Sequence, residues 1–321
     1  MSKRITADAA LDNGRAEEST GALGDPCEVA PDSSTHFYET QIHRIWRRFL
    51  HHRLAVAGGI VVVLLLLTAV LAGVVAPHDP LALDTTLRFI PPFSNAQYIL
   101  GTDEMGRDVL SRLLHGGRIS LVVGMAAMFA TIVTGLTIGV LAGFYGGKLD
   151  NILMRFTDTV LCFPQVFLLL VLAAFVTPTV VSIALIIGFT SWMEVARIIR
   201  AQIQYIKEQE FVQAAFALGA SGRRIMLKEL LPNAISPVLV SATLNVANAV
   251  LMESYISFLG YGIQPPLASW GNMLTNAQSY FDLAPWLAII PGVMITLTVM
   301  SFNFLGDGLR DALDPRVGMH S

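Results

Sequence analysis

The sequence predicts an all-α, polytopic membrane protein with six transmembrane helices, and three observations carry that prediction. Only 14% of the 321 residues are charged while 54% are hydrophobic, with a mean hydropathy of +0.59. Soluble domains carry about 25% charged residues, so this chain lacks the polar groups to cover a wholly water-facing surface. Uncharged runs recur at lengths that suit a bilayer, and Lys and Arg gather in alternate connecting segments.

Crossing a hydrocarbon core takes about 20 apolar residues in a helix. Residues 54–76 and 119–145 meet that length without a charge. From Thr159 to Met193 there is no charge over 35 residues, too long for one helix. Thr177-Pro178-Thr179 divides this run, because proline cannot donate to the helical ladder and marks a turn. Spans over 154–176 and 180–200 follow. A fifth is expected over 236–259 and a sixth over 283–306.

Six spans place both termini on one side, and charge selects the side. With the amino terminus in the cytoplasm, the inner segments hold seven Lys and Arg up to Arg53, two at Lys148 and Arg155, six from Arg197 to Lys228, and two at Arg310 and Arg316. The outer loops hold four, Arg88, Arg107, Arg112 and Arg118, and the loop 260–281 holds none. The positive-inside rule therefore puts both ends in the cytoplasm. The net charge of −3 decides nothing further, because placement matters more than the sum.

The domain organisation follows. Residues 1–36 form an acidic tail, expected to be disordered because it offers too little apolar surface to offset ordering. It lacks the short apolar run and cleavage site of a signal peptide. Within 37–53, Ile42, Ile45, Trp46, Phe49 and Leu50 fall on one helical face among Arg44, Arg47, Arg48 and His51. That predicts a basic amphipathic helix in the cytoplasmic interface; an extension of the first span is the alternative. Residues 54–307 form the six-span domain, and 308–321 a cytoplasmic tail. Cys27 and Cys162 form no disulfide framework, and no metal-ligating cluster of Cys and His is visible.

The cytoplasmic loop 201–232 is too patterned for a simple connection. Glu210 to Leu218 predicts a short helix with Phe211, Ala215 and Leu218 on one face. Gly219 supplies a left-handed stop, Ser221 a cap for a second helix, and Pro232 its end. Small side chains at Ala214 and Ala215 let a partner approach.

Gln213-Ala214-Ala215, Gly219 and Leu231-Pro232 resemble the signature loop of ABC importer permeases, in which Glu is usual at the position of Gln213. The outer stretch 100–112, with Gly101-Thr102-Asp103-Glu104-Met105-Gly106-Arg107-Asp108, is similar to the first outer loop of the dipeptide, oligopeptide and nickel subfamily. Ser257-Phe258-Leu259-Gly260-Tyr261-Gly262, Pro265-Pro266 and Ser269-Trp270-Gly271 resemble its second, C-type permease subunit. The resemblance spans roughly residues 40 to 318. It implies a type I ABC importer permease fold in a bacterial inner membrane. It implies four kinds of partner: a homologous second permease, two cytoplasmic ATPases, a periplasmic or lipid-anchored solute-binding protein, and lipid. Nucleic acid is not implied. ATP and magnesium would sit on the ATPases, and this chain would carry no cofactor and catalyse no reaction. The coupling residues would be Gln213, Ala214, Ala215, Leu218 and Gly219.

The remaining polar residues leave alternatives open. Thr102 is expected to cap a surface helix with Asp103 and Glu104 in its first turn and an Asp108–Arg112 pair; the sharper reading makes Asp103, Arg107, Asp108 and Trp270 a docking surface for the binding protein. Glu253, inside the fifth span, is either a pathway or inter-subunit contact or a carboxyl hydrogen-bonded between helices. Ser241, Asn245 and Asn248 form a polar stripe that lines a path or bonds neighbouring helices. Arg155 and Asp158 are spaced for an i, i+3 pair. No nucleophile elbow, H-E-x-x-H or Walker loop occurs. An ion-coupled secondary transporter would need more intramembrane charge and a repeat, and an intramembrane enzyme would need paired Ser, His or Asp at depth. Among solutes, dipeptides, oligopeptides, glutathione and nickel chelates stay open.

Overall fold

The structure, a computed structural model, describes residues 41–275 and 277–313. The predicted acidic tail 1–36, with Cys27, and residues 314–321 lie outside them. Among the described residues the regular structure is helical apart from one isolated bridge between Thr102 and Asp108.

Helix α1 (Gln41–His51) and helix α2 (Arg53–Val70) meet at His52, whose Nδ1 accepts the Ala55 N–H at 3.1 Å and so caps α2. The turn α3 (Ala72–Val75) ends this span. After a long connecting segment comes α4 (Val109–Tyr145), then α5 (Gly147–Leu161), α6 (Gln165–Phe175) and α7 (Val180–Lys207). The segment between α7 and the next span carries α8 (Glu210–Ala217), α9 (Gly222–Arg224), a π-helical turn (Ile225–Leu230) and α10 (Leu231–Asn233). Helix α11 (Ile235–Phe258), the short α12 (Trp270–Thr275) and α13 (Trp286–Leu313) complete the described residues.

Five helices (α2, α4, α7, α11 and α13) are long and apolar enough to cross a membrane, and the bent pair α5–α6 supplies the sixth crossing when counted as one. This corrects the predicted unbroken span 154–176. The two helices meet at 85° across Cys162-Phe163-Pro164. Pro164 donates no N–H and biases Phe163 away from helical geometry, so a break stands here as well as at the expected Thr177-Pro178-Thr179. At the latter, Thr179 and Ser182 cap α7 reciprocally. Two ends also move. Helix α4 begins ten residues before the predicted start because Asp108 caps it, and α13 runs through Gly306 to Leu313, making 308–313 helix. Gly306 is a packing position and no stop: a Cβ there would stand 2.9 Å from Thr243 and Leu244.

Helix α7 is the central element. Of its apolar window 61% is buried within the chain, against 33% or less for the other four spans. Its main neighbour is α4, through Gly135, Gly139 and Gly143, which recur every four residues. A Cβ on Gly139 would come 2.7 Å from the Ala196 carbonyl oxygen, and one on Gly143 2.9 Å from that of Arg200. Small residues let backbones approach where no hydrophobic effect drives helices together. Helix α11 packs on both, burying Val123, Ala127, Ile187, Ala249 and Ile256 in one core. Helix α2 packs on α13, with Gly58 against the Ser301 carbonyl. Outward faces are apolar, with Leu64, Phe129, Phe189 and Val293 exposed as lipid requires.

Gly139→Leu is expected to lower the thermal midpoint of the detergent-solubilised chain, at an overpacking cost of about 1–3 kcal/mol. Gly73→Leu, where no atom lies within 4 Å of the added carbon, should leave it unchanged.

Candidate functional site

The predicted coupling segment is built on the ends of α4 and α7. Lys207 donates to the Phe144 carbonyl at 2.8 Å and lies over the Phe144 ring. Gln213 Nε2 donates to the Lys207 carbonyl at 2.9 Å, satisfying a helix-end acceptor. Val212 is fully buried, in a cluster with Ile203, Ile206, Ile225 and Leu230. The anchor of α8 is therefore Val212, helped by half-buried Ala215, while Phe211 and Leu218, expected on the same face as Ala215, point outward. Leu218 is 87% exposed. Gln213, Ala214 and Gly219 are exposed beside it.

Gly219 has φ +76°, the left-handed conformation that glycine adopts at least cost. Its N–H donates to Phe216 O at 3.0 Å and the Ala220 N–H to Ala215 O at 3.1 Å, the two bonds of a Schellman stop. Ser221 stands at the next helix start but its side chain makes no capping bond. Pro232 does not end a helix as expected. It lies in a helical run, and the wider π turn just before it makes room for its ring.

The outer segment departs from its predicted form. Thr102 is no helix cap: its hydroxyl donates to Leu87 O at 2.5 Å and accepts the Ile90 N–H at 2.9 Å, bridging two loop strands. The cap is Asp108, which accepts from Ser111 N at 3.0 Å and Ser111 Oγ at 2.6 Å. Asp103 accepts from Arg107 Nε at 2.6 Å and lies 3.6 Å from Arg112 Nε, so Arg112 faces Asp103 and not Asp108. Gly106, at φ +74°, leaves no room for a side chain, because a Cβ would stand 1.7 Å from Asp84 O. The Thr86 hydroxyl and backbone N–H hold the exposed Asp84 carboxyl below its ordinary range. Trp270 donates from Nε1 to Leu113 O at 3.0 Å. Asp103, Arg107, Asp108 and Trp270 are all buried, so in this conformation these side chains support the loop surface from beneath.

Of the intramembrane polar residues, Glu253 is fully buried, and Ser120 Oγ and Ser257 Oγ donate to its carboxylate at 2.9 and 2.7 Å. Ser120 also accepts the Trp270 N–H at 3.2 Å, so one carboxyl ties α4, α11 and α12 together. That is the inter-helix alternative. Ser241 is buried, and its carbonyl accepts Asn245 Nδ2 at 2.8 Å. Asn245 and Asn248 are half-buried and line a cleft of about 200 Å³ beside the Phe163-Pro164 break. The stripe thus divides, with the two asparagines on the cleft and Ser241 off it. Asp158 pairs with Arg197 of α7, not with Arg155. Sequence reasoning missed Lys207, Phe144 and Val212, whose roles depend on how α4 and α7 end together.

Residues 135–319 match the family model described as binding-protein-dependent transport system inner membrane component. The chain belongs to that family. Residues 40–92 match the model for the N-terminal transmembrane domain of oligopeptide transport permease C. The oligopeptide transport system permease protein OppC of Haemophilus influenzae is 38% identical over 84% of this chain and 87% of its own length. The Escherichia coli K12 protein of the same name is 40% identical over 84% and 89%. The di/tripeptide transport system permease protein DppC of Pseudomonas aeruginosa is 36% identical over 87% and 94%. Among solved structures, an inward-facing MetNI methionine ABC transporter chain superposes with a TM-score of 0.53 at 20% identity, covering 64% of this chain and 98% of that one. The fold is that of a type I ABC importer permease, and this family member is a multi-pass inner-membrane protein.

In this permease Glu253→Gln is expected to keep the thermal midpoint, because an amide can meet both serine hydroxyls. Glu253→Leu strands buried hydroxyls and is expected to cost about 1–3 kcal/mol in the same measurement.

Proposed function

We propose that this chain is one of two homologous permease subunits of an ATP-driven importer for di- and oligopeptides. Two cytoplasmic ATPases, holding ATP and magnesium, bind the inner face, and a periplasmic or lipid-anchored binding protein delivers solute to the outer face. Both termini lie in the cytoplasm, and α1, whose Trp46 and Leu50 are exposed beside Arg47 and Arg48, lies in the inner interface. This chain hydrolyses nothing itself.

The observation that carries the reading is α8. A short helix with an exposed apolar tip at Phe211 and Leu218 is held firmly by Val212 and by Gln213 on Lys207. In water such a tip is a liability; in a cleft of a partner it is a contact. Because α8 follows α7 directly, and α7 packs along α4, a push on Leu218 reaches the centre of the bundle. ATP binding shifts the equilibrium between inward- and outward-open states to the extent that the ATPases contact α8 differently in each.

The test is uptake of labelled dipeptides and oligopeptides, and separately of nickel, in a deletion strain with and without this chain. ATP-dependent peptide uptake supports the reading; nickel uptake alone moves the solute and keeps the machine; uptake that survives ATP depletion but not collapse of the ion gradient sinks it. Leu218→Glu is expected to leave the chain folded, since the side chain is exposed, and to abolish co-purification of an ATPase. Gly219→Val should cut uptake several-fold because a β-branched residue resists positive φ, with Gly219→Asn retaining most of it.

A further inference from the structure

Glu194 stands near the middle of α7. With the span taken to start at Val180, it lies about 21 Å along the helix axis, within a hydrocarbon core of about 30 Å and one turn before the exposed Arg197–Asp158 pair. Its side chain is exposed on the surface of the chain, and among the described residues it has no hydrogen-bond or ion-pair partner. The nearest basic residue along α7, Arg197, is engaged with Asp158. A carboxylate at this depth facing lipid costs several kcal/mol. The face that carries Glu194 must therefore be wet or covered by polar groups.

The surroundings favour water and solute. Glu194 lines the same cleft of about 200 Å³ as Asn245 and Asn248 of α11, Thr190 and Ser191 of α7, and Gln165 at the start of α6. Gln165 Nε2 donates to Ser191 Oγ at 2.9 Å, holding the bend of the α5–α6 pair against α7. Asn248, like Glu194, has no side-chain hydrogen bond among the described residues. Polar groups from three helices thus converge on one opening with part of their hydrogen-bonding capacity unspent. A lone ion pair with a neighbouring subunit would need the carboxylate but not the amides. The volume is below the roughly 300–1,000 Å³ of pockets that hold a whole small molecule, so it suits one end group held briefly.

We propose that this cleft is a subsite on the solute route that takes the ammonium group of a passing peptide, with Glu194 as counter-charge and Asn245 and Asn248 meeting the adjoining peptide groups. The assignment rests on the importer reading above. It makes the route selective for a cationic end after the binding protein has released its cargo, and the grip is weak enough for the solute to leave.

The experiment uses the complete transporter with its partner subunits in membrane vesicles. Cys27→Ser and Cys162→Ser remove native thiols, the second because Cys162 is exposed at the bend. Asn248→Cys then reports the cleft to membrane-impermeant thiosulfonates, one cationic and one anionic. The cationic reagent is expected to react about tenfold faster, one nearby charge in a partly aqueous site being worth that much, and Glu194→Gln should erase the preference. In the native-cysteine chain, Glu194→Gln should lower the maximal rate of peptide uptake several-fold at an unchanged half-saturating concentration, which the binding protein sets, with Glu194→Asp retaining it. No labelling at all, labelling blind to charge, or an unchanged maximal rate in Glu194→Gln overturns the subsite while wild-type uptake leaves the importer standing. Absent wild-type peptide uptake overturns the peptide reading and the ammonium assignment with it, while nickel uptake alone keeps the importer.

Discussion

The close approach of α4 and α7 is the constraint from which the rest of the molecule hangs. Within lipid, apolar side chains gain nothing by leaving their solvent for one another, so two long helices hold together through backbone proximity and dense contact. Gly135, Gly139 and Gly143 provide that proximity, with the carbonyls of Ala196 and Arg200 lying where a side chain would otherwise stand. Helix α11 then packs against both. At one end the same pair sets the segment that carries α8, because Lys207 closes α7 onto the last turn of α4 through the Phe144 carbonyl. The α8 tip is consequently an extension of the most buried helix and has little independent freedom.

A second constraint is the proline bend. Had residues 154–176 formed one straight helix, the side of α7 that carries Ser191 and Glu194 would be packed along its length. Pro164 turns α6 away from α5 by 85°, and the two halves are pinned to α7 separately. Asp150 takes a bidentate bond from Arg200, with Nε and Nη2 at 2.5 and 2.6 Å, and Gln165 meets Ser191. Between these attachments a polar opening remains. The break in the ladder and the opening beside it are therefore one event.

The segment between the first span and α4 shows charge used as internal scaffold. Asp103, Arg107 and Arg112 gather under the loop, and Trp270 ties the later loop to Leu113 of α4. Paired and hydrogen-bonded charges of this kind hold a loop in a single shape, since removing either partner strands the other in a poorly solvated place. The surface offered outside rests on these groups without displaying them.

The recurrence of apolar runs and the turn at Gly219 were legible in the sequence, because each is a local property. An uncharged run of bilayer length must be buried or lie in lipid, and Gly219 must turn left-handed after a short helix. The family followed from motifs read the same way. What only the tertiary structure decided is which groups meet. The spacing of Asp108 and Arg112 allowed a pair, yet Arg112 reaches Asp103, because Asp108 is spent on capping α4. The partner of Glu253 could not be read from the chain, because Ser120 lies 133 residues away. Glu194 sat unnoticed at the edge of an uncharged run, and its isolation appears only once α6, α7 and α11 are placed around one opening. Pairing and solvation are relations between distant segments, and a linear pattern carries no record of them.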